Sequence, residues 1–261
     1  MNSEAVNLEA VNFETVIFET VINGLPVRAV YPEEDVRNIF IPLLKRLTDL
    51  QKNLRRRILV FLAAPPGSGK STLAAFLRDL SEKEPELTPI TVIGMDGFHR
   101  RQEYLLSHST ARDGREIKMV EIKGAPVTFD LPLFKAAVEN VSAGEDCEWP
   151  EYDRLLHNPV YRGQKVTGNI VLLEGNYLLL DEEGWKDLRT FADYTVFITD
   201  DADMLRERLV ARKEASGTPR EKAEQFVEFS DLYNARLCLE HSLEADLKLQ
   251  LMEDDRYKVV R

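Results

Sequence analysis

The sequence has few cysteines and no long hydrophobic run. Only Cys147 and Cys238 occur among 261 residues, far apart and without a metal-type spacing. They suggest no disulfide framework, so a reducing compartment is the default expectation. No stretch approaches the roughly 20 apolar residues that a membrane helix needs. The acidic N-terminus also lacks the basic start of a secretory signal. We therefore expect a cytoplasmic protein without a membrane partner.

Positive charge is also scarce. The chain has 34 Lys and Arg against 45 Asp and Glu, which gives a formal net charge of -11. General nucleic-acid binding needs a basic surface, so this balance argues against such a partner, although it allows a local basic pocket. The chain is long enough for one α/β domain with small additions.

The first 54 residues are predicted to be an N-terminal extension. A five-residue repeat, Glu-Ala-Val and then Glu-Thr-Val, begins at residue 4 and matches neither the helical nor the strand period. β-prone residues on both sides of Asn23-Gly24 predict a hairpin. Apolar residues at helical spacing from Val36 to Leu50 predict a helix that Pro42 kinks or splits. The hairpin strands could extend the sheet of the same chain or pair with a second subunit, so a homodimer stays open.

From residue 55 onward, the pattern alternates between strands and helices. Five short apolar runs predict buried strands: Ile58–Ala63, Ile90–Met95, Ile170–Leu173, Tyr194–Ile198 and Leu247–Leu251. Helical patterns lie near residues 70–80, 131–142, 184–191, 201–216 and 221–241. This alternation predicts an α/β domain, residues 55–261, with a doubly wound, mainly parallel sheet and helices on both faces. Residues 100–168 hold few sheet candidates, and we interpret them as an insertion that carries substrate contacts.

A glycine-rich segment follows the first predicted strand of this domain. Residues 64–72 read Ala-Pro-Pro-Gly-Ser-Gly-Lys-Ser-Thr and precede a helix pattern, which is the context that a P-loop requires. Ala64 stands where the motif usually has its first glycine. Lys70 would reach the β- and γ-phosphates, and Ser71 would hold Mg²⁺. The predicted ATP-binding residues of the loop are Gly67, Ser68, Gly69, Lys70, Ser71 and Thr72.

Two acids end predicted strands of the same sheet. Asp96 follows one strand, and Glu174 ends another. Because the carboxyl ends of parallel strands form the ligand-binding edge, Asp96 could accept a proton from a substrate hydroxyl or contact the metal. Glu174 would act on Mg²⁺ directly or through water. The alternatives are an Asp-Gly turn at Asp96 and a capping carboxylate at Glu174.

Three motifs together occur in a narrower range of protein families than any one of them alone. The P-loop, Asp96-Gly97-Phe98-His99 and Leu173-Glu174-Gly175 together resemble the phosphoribulokinase/uridine kinase family, which includes bacterial pantothenate kinases. The resemblance covers roughly residues 55–252. Within the family, the sequence is similar in particular to fructose-transport and nucleoside kinase-like proteins. It implies a P-loop NTPase fold, ATP and Mg²⁺ as cofactors, and transfer of the γ-phosphate to a small-molecule hydroxyl. It also implies that Asp96 is the base, while Glu174 belongs to the metal site.

The resemblance extends to the insertion. The segment from Lys123 to Asp130 resembles the family's Lys-Gly-x-Pro-x-x-Phe/Tyr-Asp, and Tyr152 to His157 resembles the family stretch that begins with Tyr-Asp and ends with His. Because family members use residues of the second segment for acceptor contacts, and His99 lies beside Asp96, we predict an acceptor site here. The alternatives are capping of the helix at Leu131 by Asp130 or Thr128, a surface lysine and structural histidines. The predicted acceptor residues are His99, Lys123, Phe129, Tyr152, Arg154 and His157.

A lid is predicted at about residues 208–225. Arg208 and Arg212 are four residues apart on one helix, and arginines of such lids approach the ATP phosphates in this family. Asp231 and Asn234 are weaker candidates near the lid. By resemblance, a sugar or sugar derivative is the first acceptor, and pantothenate or a nucleoside is the second. A regulatory ATPase without a small acceptor and an inactive binding module remain alternatives.

Overall fold

The computed structural model describes residues 14–22, 24–153, 156–161 and 163–260. The early copies of the repeat, Asn23 of the predicted turn and the predicted acceptor residue Arg154 lie outside these residues. In chain order the strands are β1 Thr15–Ile22, β2 Leu25–Pro32, β3 Ile58–Ala63, β4 Ile90–Gly94, β5 Ser109–Arg112, β6 Arg115–Lys118, β7 Cys147–Glu148, β8 Glu151–Asp153, β9 Asn158–Val160, β10 Lys165–Val166, β11 Ile170–Gly175, β12 Tyr194–Thr199, β13 Leu247–Leu251 and β14 Tyr257–Val260. The α-helices are α1 Glu33–Asp35, α2 Ile41–Leu54, α3 Lys70–Lys83, α4 Gln102–Ser107, α5 Leu131–Ser142, α6 Ala202–Ala215, α7 Arg220–Phe226 and α8 Leu232–Glu240.

Six strands form the central sheet, in the order β14-β13-β12-β3-β11-β4. All neighbours are parallel except β13 and β14, which pair antiparallel at one edge. Every residue of the central strand β3 is buried, as its continuous apolar sequence indicated. The predicted α/β fold with a mainly parallel sheet is confirmed. The edge strand β14 was not predicted because four residues are too few for a periodicity argument.

The two faces of the sheet carry separate apolar cores. Val60 and Leu62 of β3 face a core that includes α2 and α3, while Leu59 and Phe61 face a core that includes α5. This division follows from the alternation of side chains along a strand. Burial of each such side chain stabilises the fold by about 1.5–3 kcal/mol. Among the described residues, no helix has the length and apolar character needed to cross a bilayer.

The predicted N-terminal hairpin forms and packs on α3. β1 and β2 pair antiparallel from Thr15↔Pro32 to Ile22↔Leu25. Tyr31 stacks on Phe76 of α3 with ring centroids 4.2 Å apart, and Phe18 contacts the same ring at 5.3 Å. The hairpin therefore shares the core of the sheet, and its packing directs its tip along α3 toward the phosphate loop.

The helix after the hairpin is interrupted near Pro42, as predicted. A π-helical turn at Val36–Phe40 separates α1 from α2, and Pro42 lies in the first turn of α2. A proline is tolerated there because the first turn of a helix does not need its backbone N–H. Pro42 therefore causes no break within α2, which continues to Leu54.

The insertion contains three small two-stranded sheets, which pair β5 with β6, β7 with β10 and β8 with β9. The turn between β5 and β6 is Asp113-Gly114, with φ of 51° and 72°. Such an Asp-Gly pair is a hairpin signal that sequence reasoning overlooked. Two side chains dock the insertion on the edge strand β4: Trp149 Nε1 donates to Gly94 O, and Gln164 Nε2 donates to Val92 O, each at 2.8 Å. The insertion thereby covers an otherwise open sheet edge.

Candidate active site

The phosphate loop connects β3 to α3 at the carboxyl edge of the sheet. Gly67 and Gly69 have φ of 91° and 76°, a region that L side chains rarely adopt. Helix α3 begins at Lys70, so the N–H groups of its first turn have no partner within the helix. The hydroxyl of Ser68 is buried and has no hydrogen-bond partner among the described residues. Free amides and an unpaired hydroxyl around a glycine-rich turn fit a phosphate chain.

A hydroxyl and a carboxylate meet beside this loop. Ser71 Oγ donates to Glu174 Oε1 at 3.0 Å. In the sheet, Glu174 lies opposite Gly94 of β4, and a Cβ at Gly94 would come within 3.2 Å of Glu174 Oε1. Within the described ranges, no group of three or more His, Cys, Asp or Glu residues could hold a metal. One hydroxyl and one carboxylate fit Mg²⁺, which takes most of its other oxygens from water and phosphate.

Asp96 lies in a 3₁₀ turn, Met95–Phe98, directly after β4. The Nδ1 atom of His99 is 2.8 Å from the carbonyl oxygen of Asp96. Because a carbonyl oxygen only accepts, Nδ1 carries the proton, and Nε2 is the acceptor when the ring is neutral. The ring of His99 lies 3.9 Å from that of Phe129 and 5.0 Å from that of Tyr152, centroid to centroid. The turn and these rings fix His99 beside Asp96.

Gly97 leaves no room for a side chain. A Cβ at this position would lie 1.9 Å from the carbonyl oxygen of Pro150, which precedes β8. The backbone of the insertion therefore crosses directly over the turn that carries Asp96. This close approach ties the position of the carboxylate to that of the insertion.

We expect Gly97→Ala to lower both stability and activity. Relief of the overlap requires a backbone shift that costs about 1–3 kcal/mol, and the shift moves Asp96. Thermal unfolding and initial rates measure the two effects. Gly144→Ala is the matched control, because no atom lies within 4 Å of its Cβ position and only its φ of 89° adds strain. A Gly97→Ala protein as stable as this control would contradict the close approach.

Two adjoining cavities meet at Asp96. The larger, of about 820 Å³, lies between the insertion and helices α6 to α8, the region of the predicted lid. The smaller, of about 420 Å³, is lined by Ser71, Glu174 and Asp96. Asp96 lines both cavities and so lies between the larger cleft and the Ser71–Glu174 pair, the candidate Mg²⁺ ligands. The predicted residues that line the larger cleft are Lys70, Asp96, His99, Lys123, Tyr152, His157 and Arg212.

The structure does not place Phe129 at this cleft. Its side chain is 2% exposed and packs edge-to-face against Tyr177 and Trp185. The structure therefore does not bring Phe129 together with the other predicted acceptor residues, and its contact with the acceptor stays a prediction. The residue supports His99 from behind, because its ring belongs to the apolar core and its backbone forms a bridge with His99.

Arg208 is also absent from the lining of the cleft. Its guanidinium binds the buried carboxylate of Asp200 at 2.9 Å and the exposed carboxylate of Asp255 at 2.7 Å. Because these two acids hold the guanidinium on another side of α6, the structure does not bring Arg208 together with the phosphate loop, and its ATP-binding role stays a prediction. Arg212, one turn later on α6, does line the cleft.

Several residues of the cleft were missed or only weakly indicated by the sequence. Asn176 follows Gly175 at the end of β11, and this position at a strand end could have indicated a residue of the ligand-binding edge. Lys213 lies 3.3 Å from Asp231, a pairing that no local pattern predicts. The Oδ1 atoms of Asn176 and Asn234 are buried and have no hydrogen-bond partner among the described residues. These oxygens can accept hydrogen bonds from a bound hydroxyl compound.

The tip of the N-terminal hairpin also reaches this region. Thr20, Val21, Ile22 and Gly24 line the smaller cavity, and Gly24 also lines the larger one. The hairpin therefore contributes to the wall of the candidate site, a placement that its sequence alone did not indicate.

The chain is similar in sequence to proteins of bacteria and yeast. It is 42% identical over 237 residues to Uncharacterized protein YggC of Escherichia coli (strain K12), which covers 90% of this chain and 96% of that protein. It is 31% identical over 225 residues to "Putative uridine kinase C227.14" of Schizosaccharomyces pombe, which covers 84% and 92% respectively. No family model matches the chain.

Solved structures agree with this similarity. A "putative fructose transport system kinase" from Silicibacter sp. TM1040 superposes with a TM-score of 0.65 at 31% identity, covering 77% of this chain and 98% of that one. YFH7 of Saccharomyces cerevisiae, with a TM-score of 0.68 at 18% identity, supports the fold alone. The sequence and structural similarities confirm the resemblance stated from the motifs. The chain belongs to the uridine kinase family of P-loop kinases.

Proposed function

We propose that this protein transfers the γ-phosphate of ATP to a hydroxyl group of a small molecule, with a sugar or sugar derivative as the first acceptor. The observation that carries the proposal is the meeting of Lys70, Asp96 and the Ser71–Glu174 pair at two adjoining cavities. Phosphoryl transfer to a second substrate needs a loop that binds phosphates, side chains that hold a metal ion, and a carboxylate beside an open cleft.

Each group has a defined task in the proposed reaction. The loop amides from Gly67 to Ser71 and the ammonium of Lys70 stabilise charge on the phosphates. Asp96 orients the acceptor hydroxyl and takes its proton. Arg212 adds positive charge from the lid side of the cleft. Bound Mg²⁺, held by Ser71 and Glu174, would neutralise charge on the β- and γ-oxygens.

A nucleoside is the second candidate acceptor. It is favoured by the name of the Schizosaccharomyces pombe relative, "Putative uridine kinase C227.14", which matches over most of this chain. A cleft of about 820 Å³ is large enough for either class of acceptor. A regulatory ATPase differs from both, because its ATP consumption would not depend on a small acceptor.

An acceptor screen tests the proposal. We expect ADP release from Mg·ATP to rise with at least one hydroxyl compound in a panel of sugars, polyols, nucleosides and pantothenate. A coupled assay measures the release, and mass spectrometry identifies the phosphorylated product. ADP release that no acceptor changes would favour a regulatory ATPase instead. Failure to bind Mg·ATP would favour an inactive binding module.

A further inference from the structure

Lys123 places a positive charge in the wall of the larger cleft. Its Nζ atom donates to Gln102 Oε1 at 2.7 Å and to the carbonyl oxygen of His157 at 3.0 Å. The same atom lies 5.0 Å from the centroid of the Tyr152 ring. These three partners carry no formal charge at the contacting atoms. In the part of the chain that the structure describes, no carboxylate lies within ion-pair distance of Lys123.

A half-buried ammonium without a counter-ion is costly. Loss of hydration disfavours its charged form, and burial lowers the pKa of Lys123 from 10.5 to about 8. A neutral side chain of similar length would avoid this cost. The ammonium also has three donors, and the two hydrogen bonds use only two of them. The site is therefore electrostatically incomplete without an anion.

The backbone around Lys123 is firmly held. The hydroxyl of the buried Tyr177 donates to Gly124 O at 2.6 Å, and Gly124 N donates to Thr128 Oγ1 at 3.1 Å. Thr128 in turn donates to Ala125 O at 2.7 Å. A side chain that starts from such a fixed turn and is held at its end by two acceptors is preorganised for binding.

We propose that Lys123 binds an anionic group of the acceptor, so that the acceptor is a hydroxyl compound carrying a carboxylate or a phosphate. This inference rests on the proposed function and names its substrate class. Lys123 and its partners Gln102, Tyr152 and His157 all belong to the insertion. Lys70, which serves the nucleotide phosphates, comes instead from the phosphate loop. The anion site is therefore on the acceptor side of Asp96.

Two trios of acceptors test the inference directly, each with a neutral, a carboxylate and a phosphate member. The first is glycerol, glycerate and glycerol 3-phosphate, and the second is ribose, ribonate and ribose 5-phosphate. We expect transfer to glycerate or ribonate, or to glycerol 3-phosphate or ribose 5-phosphate, at a higher kcat/KM than to glycerol or ribose. Comparison of the carboxylate acceptors with the phosphate acceptors shows which of the two anionic groups the site binds. Equal kcat/KM for neutral and anionic members would overturn the inference while leaving the kinase proposal intact. If the acceptor screen finds only neutral acceptors and no anionic compound is phosphorylated, the inference fails while the kinase proposal stands.

A substitution separates anion binding from catalysis. Lys123→Met should raise the KM for the anionic acceptor about 10- to 100-fold, because a hydrogen bond to a charged group is lost, with a smaller change in kcat. Lys123→Arg should restore part of the affinity. Lys165→Met, at an exposed position, is the control and should leave both constants unchanged. A fall in kcat for every acceptor with no change in KM would overturn the inference.

The pH dependence of kcat/KM distinguishes anion binding by Lys123 from a purely structural role of this residue. With the wild type, kcat/KM for the anionic acceptor should fall above about pH 8 as Lys123 loses its proton. The Lys123→Met protein should lose this fall, and retention of an identical fall would count against the inference. The other charged or titratable groups lining the cleft are Lys70, Asp96, His99, Tyr152, His157, Arg212, Lys213 and Asp231.

Discussion

Asp96→Asn is expected to lower kcat by about 10²- to 10⁴-fold, the usual contribution of a positioned general base. The amide keeps the shape of the carboxylate but cannot take the proton of the acceptor hydroxyl. The affinity for ATP should change little, because the nucleotide phosphates are cradled by the loop that precedes α3. Initial rates with the acceptor found in the screen, together with a calorimetric titration of Mg·ATP, measure the two effects.

The same exchange at Asp187 is the control for Asp96→Asn. Asp187 is an exposed carboxylate that pairs with Lys135 at 2.8 Å. Asp187→Asn should leave turnover unchanged. If Asp96→Asn retained the wild-type rate, Asp96 would not be the base. If it abolished ATP binding while the fold stayed intact, its role would lie with the nucleotide and not with the acceptor.

Lys70→Ala is expected to lower kcat by about 10²- to 10³-fold, the size of effect seen when one preorganised charge-stabilising donor is removed. Lys70 lines the same cleft as Asp96. Its ammonium stabilises charge that grows on the phosphate oxygens during transfer, so its loss should reduce kcat more than acceptor binding. Single-turnover rates at saturating Mg·ATP isolate this effect from weaker nucleotide affinity.

Lys83→Ala is a suitable control because Lys83 lies at the other end of the same helix. It is exposed and pairs with Asp79 at 2.7 Å. Its removal should cost less than about 1 kcal/mol of stability and no activity. Normal turnover in the Lys70→Ala protein would remove the phosphate loop from the proposed mechanism.

The parts of the site predicted from the sequence are those that local pattern determines. The P-loop was recognisable because a buried strand, a glycine-rich turn and a helix follow one another without interruption. Asp96 and Glu174 were recognisable because both acids end strands of one parallel sheet, and such ends converge. The hydrogen bond between Ser71 and Glu174 spans 103 residues of sequence and follows from that topology.

The parts that could not be predicted depend on distant partners. Arg208 shares helical spacing with Arg212, yet Asp255, 47 residues later, holds it away from the cleft. Phe129 stands in a family-like motif, but its ring joins a core built from several elements. That no carboxylate of the described residues lies beside Lys123 is likewise a property of the folded chain. Periodicity and motif spacing carry no information about such contacts.

The lid helices have a small apolar core of their own. Leu205, Leu209 and Val210 of α6 pack with residues of α7 and α8, apart from the two cores of the sheet. A Cβ at Gly67 would lie 3.0 Å from Leu209, so this assembly rests directly on the phosphate loop. Because protein interiors are close-packed, a backbone displacement at Gly67 would press on Leu209 and so disturb the packing of these helices.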